Sequence, residues 1–124
     1  MKIECIAIDD EPLALEIISA FCLRFPFLNM LRTFDSSSEA QAFLKNNQVD
    51  LLFLDVQMEG MTGIELVRSL DYQPFVILTT GQDLHAVKSF GIENADYLLK
   101  PFSFDRFSEC VNRMYNRISN SGSL

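Results

Sequence analysis

The chain alternates short, nearly unbroken apolar runs with stretches in which apolar residues recur every three or four positions. From Lys2 to Ile8 the residues are mostly apolar and β-prone and stop at an acidic turn, as in a strand buried on both faces. Pro12 suits the first position of a helix, and Ala14, Ile18, Phe21, Cys22 and Phe25 follow at helical spacing until Pro26. Leu28 to Phe34 predict a weaker strand. Ser36, Ser37 or Ser38 then caps a second helix with Ala40, Phe43 and Leu44 on its apolar face, ending at the turn-prone Asn46-Asn47. Asp50 to Asp55 form a continuous apolar run between two aspartates, and Ile64, Leu66, Val67 and Leu70 mark a third helix after Gly63. Phe75 to Thr80 follow the break at Pro74, and a fourth helix carrying Leu84, Val87, Lys88 and Phe90 runs to Gly91. Ala95 to Leu99 give a fifth strand. Lys100-Pro101 turns the chain into a last amphipathic helix with Phe104, Phe107, Cys110, Val111, Met114 and Ile118, and Asn120 to Leu124 read as a frayed tail.

Five strands alternating with five helices through short connections predict right-handed crossovers and a parallel sheet covered on both faces. The expected architecture is α/β, a flavodoxin-like (βα)5 doubly wound sheet of five parallel strands in the order 2-1-3-4-5. At 124 residues and 48% hydrophobic content there is one core to build. No apolar run approaches the roughly 20 residues of a membrane helix, and no basic-then-apolar leader opens the chain, so a cytoplasmic protein without membrane contact is expected. A net charge of -7 with dispersed Lys and Arg argues against DNA binding by this chain itself. Cys5, Cys22 and Cys110 are odd in number and widely spaced, which suits buried thiols better than a metal cluster.

In doubly wound sheets, ligands sit beyond the carboxyl ends of the strands, and there the polar residues converge. Strand one ends in Asp9-Asp10-Glu11, strand three in Asp55, strand four in Thr79-Thr80, and strand five in Lys100. Carboxylates crowded together repel, and a divalent cation relieves the repulsion; an oxygen-only set suits Mg2+ or Mn2+ rather than zinc. A carboxylate beside such a cation can act as a nucleophile toward a phosphoryl group, with Lys100 and the Thr80 hydroxyl as donors to its oxygens. Singly, each residue has a plainer role: the acids favour a helix N-terminus, Asp55 a turn, Thr80 a cap, and Lys100 solvent. Their coincidence at four strand ends is what singles them out.

Ile8-Asp9-Asp10-Glu11-Pro12, Leu54-Asp55-Val56-Gln57-Met58, Leu78-Thr79-Thr80-Gly81 and Asp96-Tyr97-Leu98-Leu99-Lys100-Pro101-Phe102 resemble, in order and spacing, the motifs of the receiver domain of bacterial two-component response regulators. Asp9-Asp10-Glu11-Pro12-Leu13-Ala14 and the Tyr97–Phe102 stretch are most similar to receivers of LytTR-type transcription regulators. The resemblance implies a phosphoacceptor switch rather than an enzyme with a separate substrate, although such a domain catalyses its own phosphorylation and loss of the phosphoryl group. It implies Asp55 as phosphoacceptor, Asp9, Asp10 and the Gln57 carbonyl as metal ligands with Asp55, and Lys100 as the invariant cation. Thr80, which precedes the small Gly81, matches the switch hydroxyl, and Tyr97 the switch aromatic. The Lys100-Pro101 bond resembles one that is cis in the family. A sensor histidine kinase is the implied partner, with homodimerisation through helix four, strand five and helix five. The receiver would span 1–118, with 119–124 a tail or the start of a linker to a LytTR DNA-binding domain.

The pattern departs from the family where Glu59 replaces the usual proline four residues after Asp55. Gln57 and Gln82, two residues after Asp55 and Thr80, match positions that in the family tune access of water to the phosphoryl group. His85 reads as a surface residue, Met58 and Met61 as loop packing, and Phe21, Phe25, Phe43, Phe104 and Phe107 as core. A metal-dependent phosphatase would want an acid at Gln57, and a nucleotide binder a Gly- or Ser/Thr-rich loop where Asp9-Asp10-Glu11 stand. The remaining alternative is a pseudo-receiver acting as an interaction module without phosphorylation.

Overall fold

The computed structural model describes residues 1–121. Its elements alternate strictly: β1 (Ile3–Ile8), α1 (Pro12–Cys22), β2 (Leu28–Phe34), α2 (Ser37–Asn46), β3 (Leu51–Asp55), α3 (Gly63–Ser69), β4 (Phe75–Thr80), α4 (Leu84–Lys88), β5 (Ala95–Leu99) and α5 (Phe104–Asn120). The strands form one parallel sheet in the order β2-β1-β3-β4-β5, the flavodoxin-like arrangement expected. β3 and β4 lie inside the sheet, and every residue of each is buried, which is why both read as continuous apolar runs. β2 is an edge strand with a register shift against β1, buried only at its two ends, and its weaker sequence signal follows from that position.

Alternate residues of each strand feed two cores. Cys5, Ala7, Leu51, Phe53, Phe75, Ile77 and Leu98 pack with α1 and α5; Ile6, Ile8, Leu52, Leu54, Val76 and Leu78 pack on the other face with α2, α3 and α4. Phe107, fully buried, stacks on Phe53 with ring centroids 5.5 Å apart and meets Phe21, Phe25 and Phe102, so α5 is fastened to the sheet by aromatic contacts. Of the five phenylalanines expected in the core, Phe25 and Phe107 are buried, while Phe21, Phe43 and Phe104 are half-buried against it. All three cysteines are buried, reduced thiols.

Local chemistry sets the helix ends. Pro12 opens α1, Ser36 caps α2 through Glu39 N–H, Asp83 caps α4 through His85 N–H, and Ser103 caps α5 through Arg106 N–H. α3 begins in a capping box: Glu65 N–H donates to Thr62 Oγ1 at 3.1 Å, and Thr62 N–H to Glu65 Oε1 at 3.1 Å. Thr62→Ala should therefore lower the unfolding free energy by about 1 kcal/mol in urea titrations, and Thr62→Ser by less. Identical midpoints for wild type and Thr62→Ala would exclude the cap as a source of stability.

Two expectations at helix ends need correction. α4 stops at Lys88, so Phe90 lies outside it and is 43% exposed, leaving Val87 as its one buried residue; Gly91 then turns the chain at φ +65°. α5 continues through Asn120, past the last apolar position, because Ser121 N–H caps the carbonyls of Arg117 and Ile118. Asn120 thus belongs to the helix, and residues 122–124 of the expected tail lie outside the described residues.

Candidate functional site

The carboxyl ends of β1, β3, β4 and β5 bring Asp9, Asp55, Thr80 and Lys100 to one edge of the sheet. Asp9 is fully buried and both of its oxygens are engaged: Oδ1 accepts from Glu11 N–H at 2.9 Å and Oδ2 from Lys100 Nζ at 2.6 Å. The same ammonium lies 3.6 Å from Asp55 Oδ2 and 3.6 Å from Glu11 Oε1. Lys100 therefore faces three acids, with Asp9 rather than Asp55 its nearest, and the part played by Glu11 has no signal in the sequence beyond its place beside two aspartates. The Lys100-Pro101 peptide is cis, as the motif led one to expect.

Asp55 is buried at 5% exposure, and its Oδ1 accepts from Gln57 N–H at 3.2 Å. Burial, reinforced by the charge of Asp9, raises its pKa from the ordinary 3.8 to about 6, against the opposing pull of Lys100 and the Gln57 N–H. For Lys100 burial disfavours the charge, but the bond to Asp9 and the neighbouring acids outweigh it and raise the pKa. Asp10 is exposed, and one carboxylate oxygen from each of Asp9, Asp10 and Asp55 lies within 4.8 Å of the others. Three hard oxygen donors at that spacing, two of them buried, form a set that a divalent cation would fit and that repels itself without one.

Thr80 is fully buried, and its Oγ1 accepts from Gln82 N–H at 2.9 Å. Tyr97 is half-buried and packs on the α2-α3-α4 face, where alternation also places Thr80. Gln57, Glu59 and Gln82 are exposed and line, with Asp10, Met58 and Arg68, a groove between the β3–α3 loop and α4. Met58 is buried and Met61 half-buried; Ser37 Oγ donates to the Met61 carbonyl at 2.6 Å, so this loop is packed as expected. His85 is exposed. A second cleft runs from Asp55, Gln57 and Lys100 along Leu13 and Ile17 of α1 to Phe102.

Two residues matter here in ways the motif pattern does not signal. Gly63, the first residue of α3, has no room for a side chain: a Cβ would stand 2.4 Å from the Asp55 carbonyl oxygen. Thr79 is buried, and its Oγ1 has no hydrogen-bond partner among the described residues.

The family described as the response regulator receiver domain matches residues 5–112. The chain is 32% identical over 120 residues to the sensory transduction protein LytR of Staphylococcus haemolyticus, across 94% of this chain and 47% of that protein. It is 30% identical over 112 residues to the transcriptional regulatory protein YpdB of Escherichia coli K12, across 88% of this chain and 46% of YpdB. The chain thus spans about half the length of these relatives. Among solved structures, the response regulatory domain of MrkE from Klebsiella pneumoniae matches with a TM-score of 0.84 at 27% identity, over 94% of this chain and 98% of that one. The isolated REC domain of RcsB from Salmonella enterica, in the presence of the phosphomimetic BeF3-, shares the fold at a TM-score of 0.82 and 21% identity, over 94% of this chain and 90% of that one. With the family match extending over most of the chain, and LytR and YpdB among its relatives, the protein belongs to the receiver domains of two-component response regulators.

Proposed function

We propose that this chain is a phosphorylation-driven switch in which Asp55 accepts a phosphoryl group from a phosphohistidine of a sensor histidine kinase. The observation that carries the reading is the set of Asp9, Asp10 and Asp55 oxygens within 4.8 Å of one another, beside a lysine ammonium 3.6 Å from Asp55. One Asp55 oxygen attacks phosphorus, the P–N bond to the kinase histidine breaks, and the leaving imidazole keeps the bonding pair. With a pKa of about 6, Asp55 is mainly the ionised nucleophile at neutral pH. Lys100 is within reach of the charge that builds on the transferred oxygens, and the buried Thr80 hydroxyl, which accepts from Gln82 N–H, keeps its own proton to donate to one of them. Mg2+, or Mn2+, held by Asp9, Asp10, Asp55 and the Gln57 carbonyl, would neutralise phosphoryl charge when bound.

Movement of Thr80 would be read out by Tyr97, biasing the α4-β5-α5 face for homodimerisation. Because the LytR and YpdB relatives are about twice as long, the switch would act on an attached LytTR DNA-binding domain, in the cytoplasm, with 1–118 as receiver and the residues beyond it leading to the output. Loss of the phosphoryl group to water would be governed by the exposed Gln57, Glu59 and Gln82 at the rim.

Intact mass after incubation with acetyl phosphate and Mg2+ tests the reading. One added phosphoryl mass is expected, absent in Asp55→Asn and after chelation. No adduct, under conditions in which another receiver reacts, would favour the pseudo-receiver and make Glu59→Pro the first reversion to try.

A further inference from the structure

Strand parity places a row of polar side chains on the α1-α5 face at the carboxyl edge of the sheet. Ala7, Phe53, Ile77 and Leu98 all point into the core on that face, so Asp9, Asp55, Thr79 and Lys100, each two residues further on, share it. The strand order is β1-β3-β4-β5, and Thr79 pairs in register with Asp55 on one side and Leu98 on the other. Lys100 leaves β5 and delivers its ammonium to Asp9, beyond β1, at 2.6 Å and to Asp55 on β3 at 3.6 Å. To do so its side chain must pass over β4: Lys100 itself stands one step past the Thr80–Leu99 pair, opposite Gly81, and at the level of Asp55, toward which the ammonium descends, the β4 residue on that face is Thr79.

There the Thr79 hydroxyl is fully buried and has no partner among the described residues, an arrangement that disfavours the resting fold. At rest the ammonium is held by Asp9 at 2.6 Å, with Glu11 at 3.6 Å. Negative oxygens placed on Asp55 would compete with Asp9 for it and hold it over β3 and β4.

We propose that Thr79 is a positioning residue for Lys100, its hydroxyl accepting a hydrogen bond from the ammonium when Asp55 carries a phosphoryl group. The proposal rests on the phosphoacceptor reading above and adds to it a second threonine, on the opposite face of the sheet from Thr80. Thr79 thereby opposes the resting state and favours the phosphorylated one.

The test compares wild type, Thr79→Val and Thr79→Ser in two measurements: thermal unfolding of the metal-free protein, and calorimetric titration of beryllofluoride in excess Mg2+. Thr79→Val keeps the shape and removes the orphan, so its metal-free midpoint is expected to rise by about 3–6 °C. Its beryllofluoride affinity is expected to fall roughly fivefold to tenfold, with Thr79→Ser returning both values toward wild type. A merely structural threonine would shift the midpoint and leave the affinity alone. Wild-type affinity in Thr79→Val, or failure of Thr79→Ser to restore it, overturns the role of Thr79 while leaving Asp55 as acceptor. A wild-type chain that does not bind beryllofluoride overturns the phosphoacceptor reading and this proposal with it.

Discussion

Gly63→Ala is expected to destabilise the protein by about 2–3 kcal/mol and to slow phosphorylation of Asp55 at least tenfold. The backbone at Gly63 is ordinary for a helix start, so conformational freedom is not what the glycine supplies. It supplies absence: an added Cβ would meet the Asp55 carbonyl oxygen at 2.4 Å and Leu54 Cγ at 3.1 Å. The carbonyl cannot step aside easily, because it belongs to β3, a strand paired on both sides. Nor can α3 withdraw easily, since Gly63 N–H donates to the Val56 carbonyl at 3.3 Å and the Thr62–Glu65 capping box fixes its first turn. Whichever side yields, Asp55 moves relative to Asp9 and Lys100, and the chemistry suffers along with the fold. Two other glycines separate the causes. Gly60 sits at φ +78° in open space, so Gly60→Ala should cost about 1 kcal/mol from backbone strain and little in rate. At Gly81 neither space nor φ is restrictive, so Gly81→Ala should melt near wild type. Urea titrations and acetyl phosphate kinetics on the three variants check the order. A Gly63→Ala protein as stable as Gly81→Ala would show that the β3–α3 contact is slack.

The contrast among these glycines shows where the sequence was legible. Apolar periodicity alone marks ten elements, because the inner strands are buried on both faces and the helices bury one stripe each. Strand ends then put Asp9, Asp55, Thr80 and Lys100 on one edge. What periodicity does not carry is distance across the sheet. That Lys100 prefers Asp9 to Asp55, and is met by Glu11 as well, depends on how its side chain crosses two neighbouring strands. Thr79 is likewise silent in the sequence, being one more β-prone residue in an apolar run; its meaning comes from register and from an empty hydrogen-bond position. Gly63 looks like a helix boundary and proves to be a steric requirement of the neighbouring strand. The misplaced end of α4 has a related cause, since the helix is held by Val87 alone and one buried residue leaves little pattern to read, whereas α5 outruns its apolar stripe because backbone hydrogen bonds continue past Ile118.

Asp55→Asn is expected to make the metal-free protein more stable at pH 8, by on the order of 2 kcal/mol, while abolishing its response to Mg2+. The sign follows from the direction of the shift. A carboxyl whose pKa is about 6 in the fold and 3.8 when unperturbed is penalised in its ionised form by folding. Above about pH 6 both states are ionised, and the whole penalty weighs on the native protein. As pH falls from 6 toward 4 the native state takes up its proton first, so this group favours folding progressively more, and below about 4 the penalty is gone. Asparagine carries no charge at any of these values, so its advantage over wild type should be full at pH 8, shrink through that window, and vanish near pH 4. The loss of attraction to Lys100, 3.6 Å away, reduces the gain without reversing it, because that ammonium keeps its 2.6 Å bond to Asp9. In wild type a divalent cation should relieve the same repulsion, raising stability at pH 8 and losing effect near pH 5, where protons compete for Asp55. Urea midpoints for both proteins from pH 8 to pH 4, with chelator and with Mg2+, contain the whole argument. If Asp55→Asn were less stable than wild type at pH 8 in chelator, the Lys100 attraction would outweigh burial, and the acidic edge would be a structural ion-pair network rather than a site strained for chemistry.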